Sequence, residues 1–275
     1  MDSTLAKGLA VLDWLARQPK GARVSDVAAA FGLARSNAHR TLRTLVGCGF
    51  AQQDQATSVY GASLRLFELG TLVGAANDVQ ARLRPRLQAL AESSGETIHL
   101  ARLDGAEIVY LDKFDSPLPV AAYSRIGGRA PACCVASGKA LLATMPHDAA
   151  TLRERFAGSL HAHTPNSIVD FDRLAAELDR TAARGWGENR EEWRLGVCGL
   201  GAPVFDARGV AVAAVGMSVP SIRFGRAQSR ALAARLLACA RDASADLGLR
   251  LQSDPPAPAP RGRVHPAERR QPRNA

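Results

Sequence analysis

The chain has 275 residues, 47% of them hydrophobic and 22% charged, and carries a net charge of +9. That balance fits a globular protein with room for one large domain or two modest ones, and no run of about 18 apolar residues offers a membrane span. Five cysteines (48, 133, 134, 198, 239), an odd count without a CxxC pair, speak against a disulfide framework or a zinc ribbon.

The first residues are broken by Lys7, Asp13 and Arg17. They lack the apolar core and cleavage site of a secretory signal, so the expected location is the cytoplasm. The charge is unevenly spread. Residues 1–78 hold eight basic and six acidic side chains, and residues 79–86 add Arg82, Arg84 and Arg86 with no acid. Residues 87–250 are nearly balanced, and the last 25 are basic again. Basic ends on a neutral body suggest a polyanionic partner.

Taken in order, Thr4 can cap a helix to about Arg17, with Leu5, Leu9, Leu12 and Ala16 on one face. Pro19 and Gly21 end it. Ser25 is placed to cap a second, short helix that buries Val27, Ala28 and Phe31, with Val24 stapled onto it. Gly32 allows a tight turn. A third helix from about Ala34 sends Ala38, Leu42, Leu45 and Val46 inward. Its outward set is Arg35, Ser36, Asn37, His39, Arg40 and Arg43, and residues 34–46 contain no acid. The run FAQQDQATSVYGAS then reads as a β-hairpin. Two helices around a glycine turn, followed by a hairpin, make a winged helix-turn-helix.

In that arrangement the third helix enters the major groove of double-stranded operator DNA. Arginine forks match guanine or phosphate, and asparagine can pair with adenine. Gln52 and Gln53 on the wing add amide groups, of which Gln52 is the candidate contact. A solvated surface helix or a protein-binding winged helix are the alternatives. The acid-free face and the hairpin in register favour DNA.

Residues from Asp78 to Ser94 read as helical, with Pro85 forcing a break or a new first turn. Thr97–Leu103 and Ile108–Phe114 read as strands joined at Asp104-Gly105. Val120–Ile126 reads as a third strand and Ser137–Met145 as a helix stopped by Pro146. Phe171–Arg184 is an amphipathic helix capped by Asp170. Gly201–Phe205 and Val210–Val219 are strands, the second apolar enough to be central, and Gln228–Leu247 is a last helix. Without regular βαβ alternation, this is an α+β domain with a largely antiparallel sheet. Residues 251–275 hold six of the fifteen prolines and read as a disordered Pro/Arg-rich tail. The expected division is a DNA-binding domain over 1–78, a linker helix with an effector-binding, oligomerisation domain over 79–250, and that tail.

Enzyme signatures are missing. Around Gly138-Lys139 a phosphate loop would need glycine where Cys133 stands. No G-x-S-x-G elbow occurs. His161 and His163, two apart, are too few for a metal site. Cys134 lacks a base that the sequence alone could place beside it. No catalytic residue, metal or cofactor is expected.

TLAKGLAVLDWLA and VSDVAAAFGLARSNAHRTLRTLVGCGF resemble the DNA-binding domain of the isocitrate-lyase-regulator (IclR) family of bacterial transcription factors. Downstream, GETIHLARLDGAEIVYLDKFDSPLPV, RIGGRAPACCVASGKALLA, SIVDFDRLAAELDRTAARGWGENREEW and GLGAPVFDARGVAVAAVGMSVP resemble, in order, its effector-binding domain. The resemblance covers residues 4–250 and implies a GAF-like fold with a small-molecule pocket. It carries the effector loop onto Ala136, Ser137 and Gly138, where backbone donors would hold a carboxylate. The family's D-D-E-E block falls on Asn189, Arg190, Glu191 and Glu192. Its strand cysteine falls on Gly199, with Cys198 one place early. Losing the first acid makes the rim less negative and favours a small organic acid, aromatic or aliphatic. The expected protein is a homodimeric or homotetrameric, ligand-responsive regulator of a catabolic operon. An oligomeric DNA-binding protein without a ligand, and an enzyme with a DNA-binding appendage, are its rivals.

Overall fold

The computed structural model describes residues 3–75, 79–121, 124–156 and 160–249. The expected tail, Asp78 and positions 122–123 of the expected third strand lie outside them. The chain forms two compact units, the first ending at Ala81 and the second beginning at Arg82.

The first unit runs α1 (Ser3–Ala16), α2 (Val24–Phe31), α3 (Arg35–Gly47), β1 (Ala51–Gln53), β2 (Tyr60–Ala62) and α4 (Arg65–Ala75). Its core joins Val11, Leu12 and Leu15 to Val27, Ala38, Leu42, Leu45 and Tyr60. The inward face of α1 is therefore not the expected one. Only its C-terminal half reaches the core, and Leu5 and Leu9 stand exposed. Val46 is also exposed, because it falls at the edge of the Ala38–Leu42–Leu45 stripe. Ser25 does not cap α2. The carboxylate of Asp26, in the first turn, accepts the backbone N–H of Arg23 at 2.8 Å. Gly32 adopts a left-handed φ of 60° between α2 and α3.

The wing pairs Gln52 with Gly61 and Gln53 with Tyr60. Ala22 exchanges two 2.8 Å backbone bonds with Tyr60, adding a third strand-like segment. A Cβ at Gly21 would meet the Tyr60 carbonyl oxygen at 2.6 Å, so glycine is what lets the chain run against the wing. Helix α4 follows directly and has no counterpart in the sequence expectation. It leaves Phe67, Leu69, Leu72 and Val73 exposed.

Helix α5 (Val79–Ser94) begins three residues before the second unit and runs unbroken through Pro85. The expected break does not occur. Proline removes one donor, while Leu83, Leu87, Leu90 and Ala91 are all buried along the same helix. Six antiparallel strands follow in the order β5-β4-β3-β8-β7-β6. They are β3 (Thr97–Asp104), β4 (Glu107–Phe114), β5 (Arg129–Pro131), β6 (Gly187–Arg190), β7 (Val197–Phe205) and β8 (Ala211–Pro220). The apolar β8 is central, as its sequence suggests.

The described residues of the expected strand at 120–126, which are 120, 121 and 124–126, are not in a strand. The chain rejoins β4 only at Gly127–Gly128, where Gly127 N–H donates to the Tyr110 carbonyl and Tyr110 N–H to that of Gly128, and β5 then continues the ladder. Helices α6 (Ala136–Leu142), α7 (Ala149–Phe156), α8 (Phe171–Arg184) and α9 (Arg226–Asp246) complete the unit. Asp170 caps α8 by accepting the Arg173 N–H at 2.9 Å. Helix α6 ends three residues short of the expected Met145.

Each arginine of the basic stretch in α5 has a partner within the second unit. Arg82 donates to the Asp246 carbonyl oxygen, Arg84 to the Asp112 carboxylate at 2.6 Å and Arg86 to the Asp246 carboxylate at 2.8 Å. These contacts attach α5 to the sheet and to α9, and they pair Arg84 and Arg86 with carboxylates.

Candidate functional site

Two sites emerge, one in each unit. In the first, α3 buries Ala38, Leu42 and Leu45 and turns Arg35, Ser36, Asn37, His39, Arg40 and Arg43 outward, all exposed. Gln52 is exposed on the wing. The Arg40 guanidinium donates to Asn37 Oδ1 at 3.1 Å, one turn apart, which leaves the Asn37 amide N–H groups pointing onward. Thr41 and Thr44 turn their hydroxyls back onto the helix carbonyls of Asn37 and Arg40. The outward face thus presents donors almost alone, the complement of phosphate oxygens and purine acceptors.

In the second unit, α6 lies across the sheet with every residue buried. Glycines permit this approach. A Cβ at Gly201 would stand 2.4 Å from the Ser137 nitrogen, and one at Gly187 would stand 2.3 Å from the Ala136 carbonyl oxygen. Beside the N-terminal end of α6 opens a cavity of about 490 Å³. Its floor is strand backbone and side chains from Gly199, Gly216, Met217 and Ser218. Its walls include His99, Tyr110, Ser124, Asn189 and Trp193.

Among its described lining residues there are three arginines (125, 129 and 194) and no acid. Arg129 is held by Asp104 and Glu107, while Arg194 lies 5.8 Å over the Trp193 ring. With Arg129 offset by two carboxylates, the positive charge at the cavity edge comes from Arg125 and Arg194, and one wall is aromatic.

His99 is buried, its Nε2 2.5 Å from Ser124 Oγ and its ring 4.8 Å from that of Tyr110. Burial pulls its pKa down to about 3, and the Lys113 ammonium acts in the same sense. Burial pushes the Tyr110 phenol up to about 12. At neutral pH both rings are uncharged hydrogen-bonding groups. Unfolded histidine titrates near 6.5, so as pH falls the unfolded chain takes up this proton first. Stability that is complete above pH ~6.5 drains away between that value and about 3. At pH 5 the loss from His99 comes to about 2 kcal/mol. Urea midpoints at pH 7 and pH 5 should differ less in His99→Gln than in the wild type; an equal drop would free His99 of this role.

Of the seven effector positions expected, the cavity takes Ala136, Ser137, Asn189 and Gly199. Gly138, Arg190 and Cys198 lie elsewhere. A Cβ on Gly138 would meet the Ala132 backbone at 2.3 Å, on the far side of α6. Cys198 pairs with Arg190 in the ladder one place from Asn189 and Gly199, and alternation turns both away from the cavity. Arg190 pairs with Glu188 at 2.5 Å and stacks over Phe224. His99, Tyr110, Ser124, Trp193 and Arg194 were not anticipated. The available signal was a histidine at an inward position of the apolar strand TIHLARL.

Lys139, on the buried helix, does not face a phosphate. Its ammonium donates to Glu192 Oε1 at 2.7 Å and to the Glu188 carbonyl at 3.0 Å. Burial raises the Glu192 pKa against the pull of Lys139, and Glu192 Oε2 has no hydrogen-bond partner. This pair ties α6 to the segment carrying Asn189 and Trp193. Among the described residues, no group of three or more His, Cys, Asp or Glu side chains could hold a metal ion.

The model of the IclR helix-turn-helix domain matches residues 4–55, and that of the bacterial transcriptional regulator IclR C-terminal domain matches residues 73–245. The chain belongs to the IclR family. It is accordingly a DNA-binding transcriptional regulator and not an enzyme, with an IclR-type effector-binding domain. The regulator KdgR of Escherichia coli K12 is 33% identical to it over 217 residues, covering 78% of this chain and 82% of KdgR. The crystal structure of the Thermotoga maritima IclR is 30% identical and superposes with a TM-score of 0.72, over 90% of this chain and 100% of that one. An IclR homologue from Microbacterium hydrocarbonoxydans, crystallised with 4-hydroxybenzoate, shares the fold at 22% identity and a TM-score of 0.75, over 89% of this chain and 99% of its own. No described helix of this IclR-family chain is long and apolar enough to cross a membrane.

Proposed function

We propose that this regulator is a homo-oligomer that senses a small organic acid in the His99–Tyr110–Asn189 cavity and alters its hold on operator DNA in response. The observation that carries the reading is the lining of that cavity: among its described residues, three arginines (Arg129 paired with two carboxylates outside it), no acid, an aromatic wall and neutral hydrogen-bonding groups in about 490 Å³. Such a site favours a carboxylate with an apolar or aromatic body. The DNA contacts are assigned to Arg35, Ser36, Asn37, His39, Arg40, Arg43 and Gln52, the donor-rich face of α3 with its wing. Oligomerisation is supported by Leu5 and Leu9 on α1 and Phe67, Leu72 and Val73 on α4, large apolar side chains that one copy leaves in water. Two such heads would read a two-fold operator. The cytoplasm, where operator DNA lies, is the expected location. The effector must bind one DNA-binding state better than the other, or it changes nothing.

One series of measurements tests both halves. Melting temperature is followed against benzoate, 4-hydroxybenzoate, pyruvate and malonate, with binding to a duplex selected from random sequence measured across salt. At least one acid should raise the melting temperature in a concentration-dependent way, since a ligand of the native state stabilises it by mass action. Arg40→Ala should weaken duplex binding and reduce its salt slope by about one unit. No shift across the panel would remove the sensor reading, and unaltered binding would remove Arg40 from the interface.

A further inference from the structure

Strand β4 serves both faces of the sheet, and a bulge makes this possible. Opposite β3, Tyr110 pairs with Ala101 and Asp112 with Leu100, so Leu111 is an extra residue without a ladder partner. Paired residues in an antiparallel ladder share a face, and neighbours along a strand alternate. Leu100 and Ala101 are neighbours. Asp112 and Tyr110 therefore face opposite sides, although they stand two apart. In a regular strand they would share one side.

Tyr110 and Lys113 face the cavity. The Tyr110 ring lies against His99, and the Lys113 ammonium donates to the Ser124 carbonyl at 2.7 Å. Asp112 and Phe114 face the other side, where Arg84 of α5 comes down. Both Asp112 carboxylate oxygens lie 2.6 Å from Arg84 Nη1, and the guanidinium sits 4.9 Å from the Phe114 ring centre. Asp112 is completely buried and also accepts the Lys113 N–H at 2.8 Å. Arg82 and Arg86 attach α5 to Asp246 of α9. Arg84 is the member of the three that reaches the strand lining the cavity.

We propose that Arg84 and Asp112 are a positioning pair that passes the state of the effector cavity into α5, the helix through which the chain leaves the DNA-binding unit. This rests on the effector reading given above. A ligand against Tyr110 and His99 shifts β4 at the bulge, where the ladder is already interrupted. Asp112 moves with it. A buried carboxylate is costly to leave without its cation, so Arg84 follows and α5 is displaced.

The test is a double-mutant cycle that needs no ligand. Wild type, Tyr110→Ala, Arg84→Met and the double variant are titrated with the selected duplex, each first shown to melt cooperatively. Tyr110→Ala should change the dissociation constant by about fivefold when Arg84 is present and by less than about twofold in the Arg84→Met background. Arg84→Lys, which keeps the cation, should recover part of the coupling, as a merely structural role would not require. The same change in both backgrounds, or no change in either, overturns the proposal. If Arg84→Met does not melt cooperatively, Arg84→Gln combined with Asp112→Asn takes its place in the cycle, under the same criteria. The acid panel tests the cavity separately, so failure of the effector reading and failure of this link are told apart.

Discussion

Lys139→Met should destabilise the effector-binding unit by about 3–5 kcal/mol, because it leaves the Glu192 carboxylate buried without its cation. The side chains of Lys139 and Glu192 are only 1% and 10% exposed, so water cannot take over the lost partner. The loss should depend on pH in a defined direction. Burial already raises the Glu192 pKa, and removing Lys139 raises it further. A carboxyl whose folded pKa lies above its unfolded one of about 4.3 contributes its stability below that value and loses it as pH rises through the folded pKa. The variant should therefore be closer to wild type at pH 5 than at pH 8 by chemical denaturation. Adding Glu192→Gln should recover much of the loss, since the remaining amide carries no charge. A deficit that is equal at both pH values and unrelieved by Glu192→Gln would show that Lys139 acts through its packing alone.

That pair also marks the limit of what the sequence discloses. Local patterns placed α2, α3, the wing, β3, β4, α8 and α9 to within a few residues, because each carries its own period, turn glycine or cap. Asp170 before FDRLAAELDRTAAR and Gly105 between β3 and β4 are such signals. The failures share a different cause. Leu5 and Leu9 share the helical period of α1, yet only its second half meets the core. Pro85 is tolerated because four buried residues of α5 hold the helix together on both sides. Strand β6, GENR, has no apolar alternation of its own and exists because β7 offers it an edge.

The outward face of α3 was legible for the same local reason, since a single helix sets which residues face out. The cavity was not, because its walls come from segments spread from His99 to Ser218. Of the positions that the family resemblance carries over, Ala136, Ser137, Asn189 and Gly199 line this cavity. The resemblance also carried over Arg190 and Cys198, which strand alternation turns to the opposite face. Arg190 instead pairs with Glu188, and the arginines at the cavity are Arg125, Arg194 and the carboxylate-paired Arg129, which no local pattern distinguishes from surface charge.

Gly201→Ala should cost about 3 kcal/mol and abolish any stabilisation by small acids together with it. The added methyl group would stand 2.4 Å from the Ser137 nitrogen and 2.5 Å from the Ala136 carbonyl carbon. These are backbone atoms of a buried helix, so no side chain can swing aside. Either α6 is pushed off the sheet or β7 bends away, and both routes displace Ser137 and Asn189 at the cavity wall. Gly225, the N-cap of α9 at an ordinary φ of −76°, has nothing within 4 Å of a built Cβ. Gly225→Ala should therefore cost no more than about 1 kcal/mol, the change of cap residue alone. The pair separates close approach from the general effect of replacing glycine. The measurement is the urea midpoint of each variant, followed by melting curves with the best acid of the panel. If Gly201→Ala keeps both its stability and its ligand response, the contact between α6 and β7 does not build the cavity, and the sensing site must be sought elsewhere in the unit.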